Sequence, residues 1–323
     1  MGIRVIMTVA AIVLASSQLC LGSTPEMLSH AIIDDSEEAV AVRVASITQR
    51  LRSADPASLA LPLDETLEIL GEMASCKGLG RWLLMHQGLN GFWTAEAILR
   101  AGGEGASDIS KWIASDAPIF RATCERFKIF QEELQKRLDA EDITFVSVPC
   151  GTMEDLLRLD PKDKEAVTFI GVDLDPQAFE WVKKAAAENP GTSFFQKVFC
   201  QADAFELPTQ AENADVAVSN GLNFYINDDA EVVRLYKVFA ASLKVGGTLI
   251  TSHLSPPALA KPYDMAALKK QLAIVRDICE MRWQIFRPEE LVRAQLTEAG
   301  FEVQQVIWDT QNMFPTYVCQ RVR

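Results

Sequence analysis

The stretch ITFVSVPCGT at residues 143–152 decides the fold, together with EDLLRL at 154–159 and VTFIGVDLDP at 167–176. An apolar run ends in a glycine turn, a helix-like segment follows, and a second apolar run ends at Asp173. This order of strand, tight turn, helix and strand is typical of half a nucleotide-binding doubly wound sheet. Gly151 allows a ligand to approach the backbone, and Asp173 can accept hydrogen bonds from ribose hydroxyls.

Apolar and helix-periodic segments alternate from Ile143 onward, which predicts a parallel sheet with helices on both faces. The last two strands follow each other with no helix between them, so we expect an antiparallel hairpin. The predicted fold class is α/β, a doubly wound, mostly parallel seven-stranded sheet with an N-terminal helical cap. Predicted strands are 143–148, 168–173, 194–199, 214–219, 247–253, 301–308 and 316–322, and predicted helices are 153–159, 176–188, 228–243, 264–282 and 288–299.

The chain divides into three predicted regions. Residues 1–22 are apolar after a short basic start, which resembles a secretory signal and approaches the length of a membrane span. The alternative is an N-terminal helix with no part in the chemistry. Residues 23–116 are predicted to form the helical cap, and residues 117–323 the cofactor-binding domain, with a helical insertion at about 255–285. Membrane association is expected only through residues 1–22.

Composition excludes several kinds of site. The 323 residues carry a net charge of −13, which argues against a nucleic-acid surface because such a surface needs a basic footprint. None of the seven cysteines forms a CxxC pair, so no metal site is predicted. Hydrophobic residues make up 49% of the chain, enough to bury a large core.

Five landmarks in order make the chain resemble the class I S-adenosylmethionine-dependent methyltransferases. FVSVPCGTM at 145–153 stands where that family has its glycine-rich motif, and GVDLDP at 171–176 resembles the strand that ends in the ribose-binding acid. QADAFELP at 201–208, ADVAVSNGLNFY at 214–225 and LKVGGTLITSHL at 243–254 are similar to the next three. The resemblance implies S-adenosylmethionine as cofactor, with Asp203 near the adenine amino group and Ala204 behind the ring.

Two further features qualify this resemblance. GLGRWLLMHQGLNGFWT at 78–94 and ERFKIFQ at 125–131 are similar to the leader of a poorly characterised bacterial subset of the family that carries a Pro-Cys-Gly first motif. Ser147, Pro149 and Met153 replace the acid and two glycines usual in the first motif. Of that glycine set only Gly151 remains.

The carboxyl edge of such a sheet is where ligands of open α/β folds bind. Arg126 is a candidate cofactor-binding residue because its guanidinium can pair with a carboxylate on cofactor or substrate, as can that of Arg287. His253, after the fifth strand, is the candidate general base if the acceptor needs one. The predicted cofactor-binding residues are Pro149, Cys150, Gly151, Thr152, Asp173, Leu174, Asp203, Ala204, Asn220, Gly221 and Arg126, and the predicted substrate pocket is Trp93, Asn223, Tyr225 and Trp283.

The predicted function is methyl transfer from S-adenosylmethionine to a small molecule. Two alternatives remain open: a non-catalytic cofactor-binding or scaffold protein, which the altered first motif favours, and a different transfer on the same fold, such as aminopropyl transfer. Cofactor availability favours the cytoplasm, whereas residues 1–22 favour export or a membrane. The acceptor and the oligomeric state are not predicted.

Overall fold

The computed structural model describes residues 34, 36–85, 107–138, 142–160, 166–192, 195–256, 264–281 and 285–323. The chain forms two compact units. Within the described residues, one unit comprises 34–85, 107–121 and 264–281, and the other comprises 122–256 and 285–323. The predicted helical insertion at about 255–285 thus clusters largely with the helical unit.

The second unit contains a seven-stranded sheet in the order β3-β2-β1-β4-β5-β7-β6. Strands β1 to β5 run parallel, and β7 pairs antiparallel with both β5 and β6. The predicted doubly wound sheet with a terminal hairpin is therefore confirmed. The strands are β1 (Ile143–Ser147), β2 (Val167–Asp173), β3 (Gln196–Gln201), β4 (Ala214–Ser219), β5 (Leu243–Ser252), β6 (Phe301–Ile307) and β7 (Thr316–Arg321).

The apolar runs of the central strands fill the core on both faces of the sheet. Because side chains alternate along a strand, Phe145 and Phe169 enter one buried cluster with Phe130. Val146 enters the other cluster with Phe239. Strands buried on both faces read as nearly continuous apolar runs, which is why β1 and β2 were recognisable from sequence.

Some helices cover the two faces of the sheet, and others form the helical unit. The bounds are α1 (Glu37–Ser53), α2 (Leu63–Ser75), α3 (Leu79–Met85), α4 (Asp108–Ser115), α5 (Pro118–Arg137), α6 (Glu154–Leu157), α7 (Gln177–Glu188), α8 (Asp229–Ser242), α9 (Met265–Leu272) and α10 (Glu289–Glu298). Asp228 begins α8 as an N-cap, since its carboxylate accepts the Ala230 N–H. No helix in these described ranges is long and apolar enough to cross a membrane.

Several predicted bounds differ from the structure, including those of β3, which was predicted at 194–199 and spans Gln196–Gln201. Three other elements differ for identifiable reasons. The helix predicted at 153–159 spans only Glu154–Leu157, because Met153 has a positive φ of 51° that does not continue a right-handed helix. β5 begins at Leu243, since the Gly246-Gly247 pair forms an irregularity inside the strand instead of a turn before it. The helix predicted at 264–282 changes to a π-helix at Ala273–Ile278.

The π-helix is tied into the helical unit by polar contacts. Asp277 accepts a hydrogen bond from the Ala60 N–H at 2.9 Å, and the Arg50 guanidinium donates to the Ile278 carbonyl at 3.0 Å. Both partners come from the N-terminal part of the chain. The helical unit therefore joins segments more than two hundred residues apart.

Candidate functional site

The turn after β1 keeps a compact geometry although it has lost most of the usual glycines. The Cys150 N–H donates to the Val172 carbonyl at 2.9 Å, which holds the turn against β2. Gly151 has a positive φ of 49° and Met153 one of 51°, the left-handed region that favours glycine. Met153 thus adopts a backbone conformation suited to glycine. Pro149 is exposed, whereas Cys150 and Thr152 are buried.

Gly171 in β2 explains how this turn packs, and the sequence alone did not single it out. A Cβ at Gly171 would lie 2.9 Å from the Met153 sulfur and 3.1 Å from the Cys150 sulfur. These separations are shorter than van der Waals contact. The two larger turn residues are therefore accommodated by a glycine on the neighbouring strand.

Asp173 contacts the turn directly. Its Oδ2 accepts the Gly151 N–H at 3.0 Å, and its Oδ1 accepts the Asp175 N–H at 3.1 Å. Asp175 in turn accepts the Gln177 N–H at 2.9 Å and so supports the start of α7. The structure brings Gly151 and Asp173 together at one end of β1 and β2.

An apolar side chain is exposed beside Asp173. Leu174 has 47% of its surface accessible, and its carbonyl accepts from the Gln201 amide at 3.2 Å. Asp203 is also exposed, and its Oδ1 accepts the Phe205 N–H at 2.9 Å in a local turn. Ala204 is half-buried against the core. These residues follow β2 and β3 and lie at the same edge of the sheet.

Buried polar groups without partners follow β4. The Asn220 Oδ1 and the Asn223 Oδ1 have no hydrogen-bond partner within the described structure. The Asn223 Nδ2 donates to the Tyr236 hydroxyl at 2.7 Å, so the amide orientation is supported by one contact. Buried polar atoms are usually satisfied. These two oxygens are therefore acceptors suited to an ammonium or a hydroxyl of a ligand. Tyr225 is half-buried, and burial raises its pKa to about 12.

Arg287 has a structural role. Its guanidinium donates to Asp229 Oδ1 at 2.8 Å and to the carbonyls of Asn223 at 2.9 Å and Ile226 at 2.7 Å. Asn223 lies in the short 3-10 helix Leu222–Tyr225, and Ile226 follows it directly. Arg287 therefore clamps the segment that follows β4. Nothing in its sequence neighbourhood indicated this, because its partners lie about sixty positions earlier.

Gly221 controls the position of Phe224. Its φ is 98°, and a Cβ there would lie 2.9 Å from the Phe224 ring. Gly246 has a similar φ of 85° but open space around the missing Cβ. Both glycines therefore have a left-handed backbone conformation, but only at Gly221 would a Cβ collide with a neighbouring side chain.

We predict that Gly221→Ala destabilises the fold more than Gly246→Ala. The left-handed conformation costs each alanine about 1–2 kcal/mol, and displacement of the ring adds roughly 1 kcal/mol for Gly221→Ala. Urea unfolding of both variants measures the difference. Equal losses would show that the Phe224 contact carries no energy.

His253 and Arg126 are both buried near this edge. His253 is 1% exposed, and neither ring nitrogen has a hydrogen-bond partner within the described structure. Burial lowers its pKa to about 4, and the charge of Arg287 adds to that effect. The Arg287 backbone opposes the shift in part, but it does not reach either nitrogen at hydrogen-bonding geometry. His253 is therefore neutral at pH 7, with its ring 5.3 Å from that of Tyr317.

Arg126 is 6% exposed, and its guanidinium carbon lies 4.4 Å from the Phe314 ring centre and 5.4 Å from that of Phe224. Its Nε and Nη1 have no hydrogen-bond partner within the described structure.

Trp93 and Trp283, predicted for the substrate pocket, lie outside the described residues, as do residues 1–22 and 88–94. No cluster of three or more His, Cys, Asp or Glu side chains suited to a metal ion occurs in the described part of the chain.

Comparisons with known proteins agree with this geometry. Residues 145–247 match a family described as a methyltransferase domain. A crystal structure of a possible exported protein from Bordetella parapertussis is 32% identical, covers 88% of this chain and 96% of its own, and has a TM-score of 0.77. That identity and coverage place the two proteins in one family. The chain belongs to the same family as the Bordetella protein, carries a methyltransferase domain at residues 145–247 and has the class I methyltransferase fold.

A second solved structure supports the fold alone. The magnesium protoporphyrin IX methyltransferase from Synechocystis PCC 6803 is 14% identical, covers 72% of this chain and 94% of its own, and has a TM-score of 0.50. No curated protein matches the sequence. The methyltransferase domain assignment supports S-adenosylmethionine as the cofactor.

Proposed function

We propose that this methyltransferase binds S-adenosylmethionine at the carboxyl edge of its sheet and transfers the methyl group to a small molecule. The observation that carries the proposal is the hydrogen bond between Asp173 and the Gly151 N–H, at the end of two adjacent parallel strands. It places the acid beside the backbone turn, and a carboxylate there is the group that accepts hydrogen bonds from ribose hydroxyls in this kind of fold.

The surrounding residues support an adenosyl ligand. Exposed Leu174 offers an apolar surface next to Asp173, and we assign the adenine side of the site to Asp203 and Ala204. The turn residues Pro149, Cys150 and Thr152 would shape the other side. We assign the unpartnered oxygen of Asn220 to the cofactor's ammonium, with Gly221 allowing the turn that presents it.

Methyl transfer requires the protein mainly to align the reacting groups. Methyl transfer is an in-line displacement at a sulfonium, and the leaving thioether is neutral, so it requires no acid. Holding nucleophile, methyl and sulfur in line can lower a barrier by roughly 7–11 kcal/mol. His253 has a pKa of about 4, too low for an efficient base near pH 7. We therefore propose that His253, Asn223 and Tyr225 orient an acceptor by hydrogen bonds.

Calorimetry with S-adenosylmethionine tests the site. Asp173→Ala is expected to weaken binding by about 1–3 kcal/mol, because charged hydrogen bonds are lost. The matched control is Asp215→Ala, since Asp215 also accepts a backbone N–H, from Thr144 at 2.9 Å, but at the amino end of β4. Unchanged affinity in Asp173→Ala, or an equal loss in both variants, would remove Asp173 from the site.

A turnover assay separates the alternatives. Wild-type protein is incubated with a metabolite extract and methyl-labelled S-adenosylmethionine. A labelled product one methyl heavier than an extract component supports the transferase. Binding without any product favours a scaffold, and transfer of an aminopropyl group favours the other reaction.

A further inference from the structure

We propose that Arg126, which lies beside the stacked rings of Phe224 and Phe314, forms a subsite for a carboxylate. The carboxylate comes either from the methionine part of the cofactor or from the methyl acceptor. Assigning it to one of these two sources rests on the proposed function, whereas the subsite itself does not. The argument depends on three features: an unpartnered guanidinium, a rigid aromatic surround and the balance of charge.

The guanidinium lacks the partners that a buried cation needs. Arg126 is 6% exposed, and its Nε and Nη1 donate to no described group. An unpaired buried charge is costly, and burial accordingly lowers the pKa of Arg126 to about 10. Arg287 shows the contrasting case in the same unit, since it is equally buried and donates to three oxygens. Arg126 therefore has donors available for a ligand.

The aromatic surround is held by contacts of its own. Phe224 and Phe314 stack with ring centres 5.5 Å apart, and the Arg126 guanidinium lies within cation–π distance of both. Phe314 ends a loop whose backbone N–H groups at 311, 313 and 314 all donate to Asp309. Phe224 is positioned by Gly221 and by the Arg287 clamp. Arg126 is thus held in place before a ligand arrives.

The charges favour a singly charged, planar anion. Asp309 lies close enough to raise the pKa of Arg126, but its oxygens are taken up by the loop backbone. The described neighbourhood therefore offers one unpartnered guanidinium and an already engaged carboxylate. A carboxylate neutralises one guanidinium and can accept two of its N–H groups. A doubly charged phosphate would be left with excess charge beside Asp309.

The topology bears on the source of the carboxylate. Phe224 follows β4 and Phe314 precedes β7, whereas Asp173 ends β2. In the sheet order, β1 and β4 separate β2 from β5 and β7. The subsite therefore lies toward the β4–β7 half of the edge, away from Asp173 and on the same side as Asn220, so both the methionine part of the cofactor and an acceptor are sources that the experiment must separate.

The test compares wild type with Arg126→Met and Arg126→Gln by calorimetry. The control is Arg293→Met, which removes an exposed arginine paired with Glu289. One arm compares S-adenosylmethionine with its decarboxylated form. The second arm titrates benzoate, and its neutral analogue benzamide, into protein alone and into protein saturated with S-adenosylhomocysteine. Thermal unfolding checks that every variant is folded.

Either of two results supports the subsite. If the cofactor supplies the carboxylate, wild type prefers the carboxylated cofactor by roughly 10- to 100-fold, and both Arg126 variants lose that preference. If the acceptor supplies it, cofactor affinity is unchanged in the variants, while benzoate binds wild type, benzamide does not, and both variants lose benzoate.

The proposed subsite is contradicted if the folded Arg126 variants bind every ligand of both arms with the same affinity as wild type and Arg293→Met. This includes the case in which benzoate binds none of these proteins. Failure of the proposed function gives a different pattern. In that case neither cofactor form binds any variant, yet benzoate still binds wild type and is lost from both Arg126 variants.

Discussion

Arg287→Met is expected to lower the free energy of unfolding by about 3–5 kcal/mol, because it breaks a buried, charged hydrogen-bond network. The guanidinium satisfies the carbonyls of Asn223 and Ile226 at 2.9 and 2.7 Å, and methionine can donate to neither. The Asn223 carbonyl then keeps only the long contact from the Ile226 N–H at 3.4 Å, and the part-buried Ile226 carbonyl loses its Arg287 donor, each at a cost of up to about 1–3 kcal/mol. The ion pair itself adds less, since the Asp229 side chain is 55% exposed.

Urea unfolding measures this loss, with Arg234→Met as the control. Arg234 is also an arginine on this unit, but it is exposed and pairs with Glu231 one helical turn away. We expect its removal to change stability by about 0.5 kcal/mol or less. A loss below about 1 kcal/mol for Arg287→Met would contradict the clamp.

The second large effect concerns acid stability and His253. Burial lowers the pKa of His253 to about 4, below the ordinary value of 6.5. The unfolded chain therefore takes up a proton at a pH where the folded protein does not. Stability from this residue is fully present above pH 6.5 and is lost as the pH falls toward 4. The loss amounts to about 2–3 kcal/mol between pH 7.5 and 4.5.

The comparison of wild type with His253→Gln isolates that contribution. Stability is measured by urea unfolding at several pH values from 7.5 to 4.5. Between pH 7.5 and 4.5, wild type is expected to lose about 2–3 kcal/mol more unfolding free energy than the variant. This difference does not depend on how the two stabilities compare at pH 7.5. Parallel pH profiles for the two proteins would show that His253 does not titrate differently on folding.

Asp155 acts in the opposite direction and must be separated from His253. Burial raises its pKa to about 6, so the folded state holds a proton that the unfolded state releases. Its contribution to stability is present below pH 3.8 and is lost as the pH rises toward 6. The two residues therefore partly cancel in wild type, which is why the variant comparison is needed.

Local pattern was sufficient for the strands and for the position of the acid at the end of β2. β1 and β2 are apolar runs because both faces of the sheet are covered, and Asp173 lies where the second run ends. The contact of Asp175 at the start of α7 is also local, because its carboxylate and the Gln177 N–H are two positions apart. The Gly151–Asp173 contact also follows from pattern, since adjacent parallel strands end at one edge.

Long-range contacts were beyond such reasoning. Arg126 and Arg287 are both arginines with the same candidate role in the sequence, yet the fold leaves Arg126 unpartnered and gives Arg287 three oxygens. The partners of Arg287 lie about sixty residues away. Burial of His253 likewise depends on β7 and on the segment at Arg287, neither of which is near it in sequence.

The sequence by itself determined the order of strands and helices, the glycine turn and the acid at the end of β2, because these depend on periodicity and short spacing. Only the tertiary structure decided which polar groups are satisfied. It left the Arg126 Nε and Nη1 without a hydrogen-bond partner among the described residues, beside two stacked phenylalanine rings, made Arg287 a clamp and kept His253 neutral. The physical reason is that desolvation and hydrogen-bond pairing depend on neighbours brought together by folding.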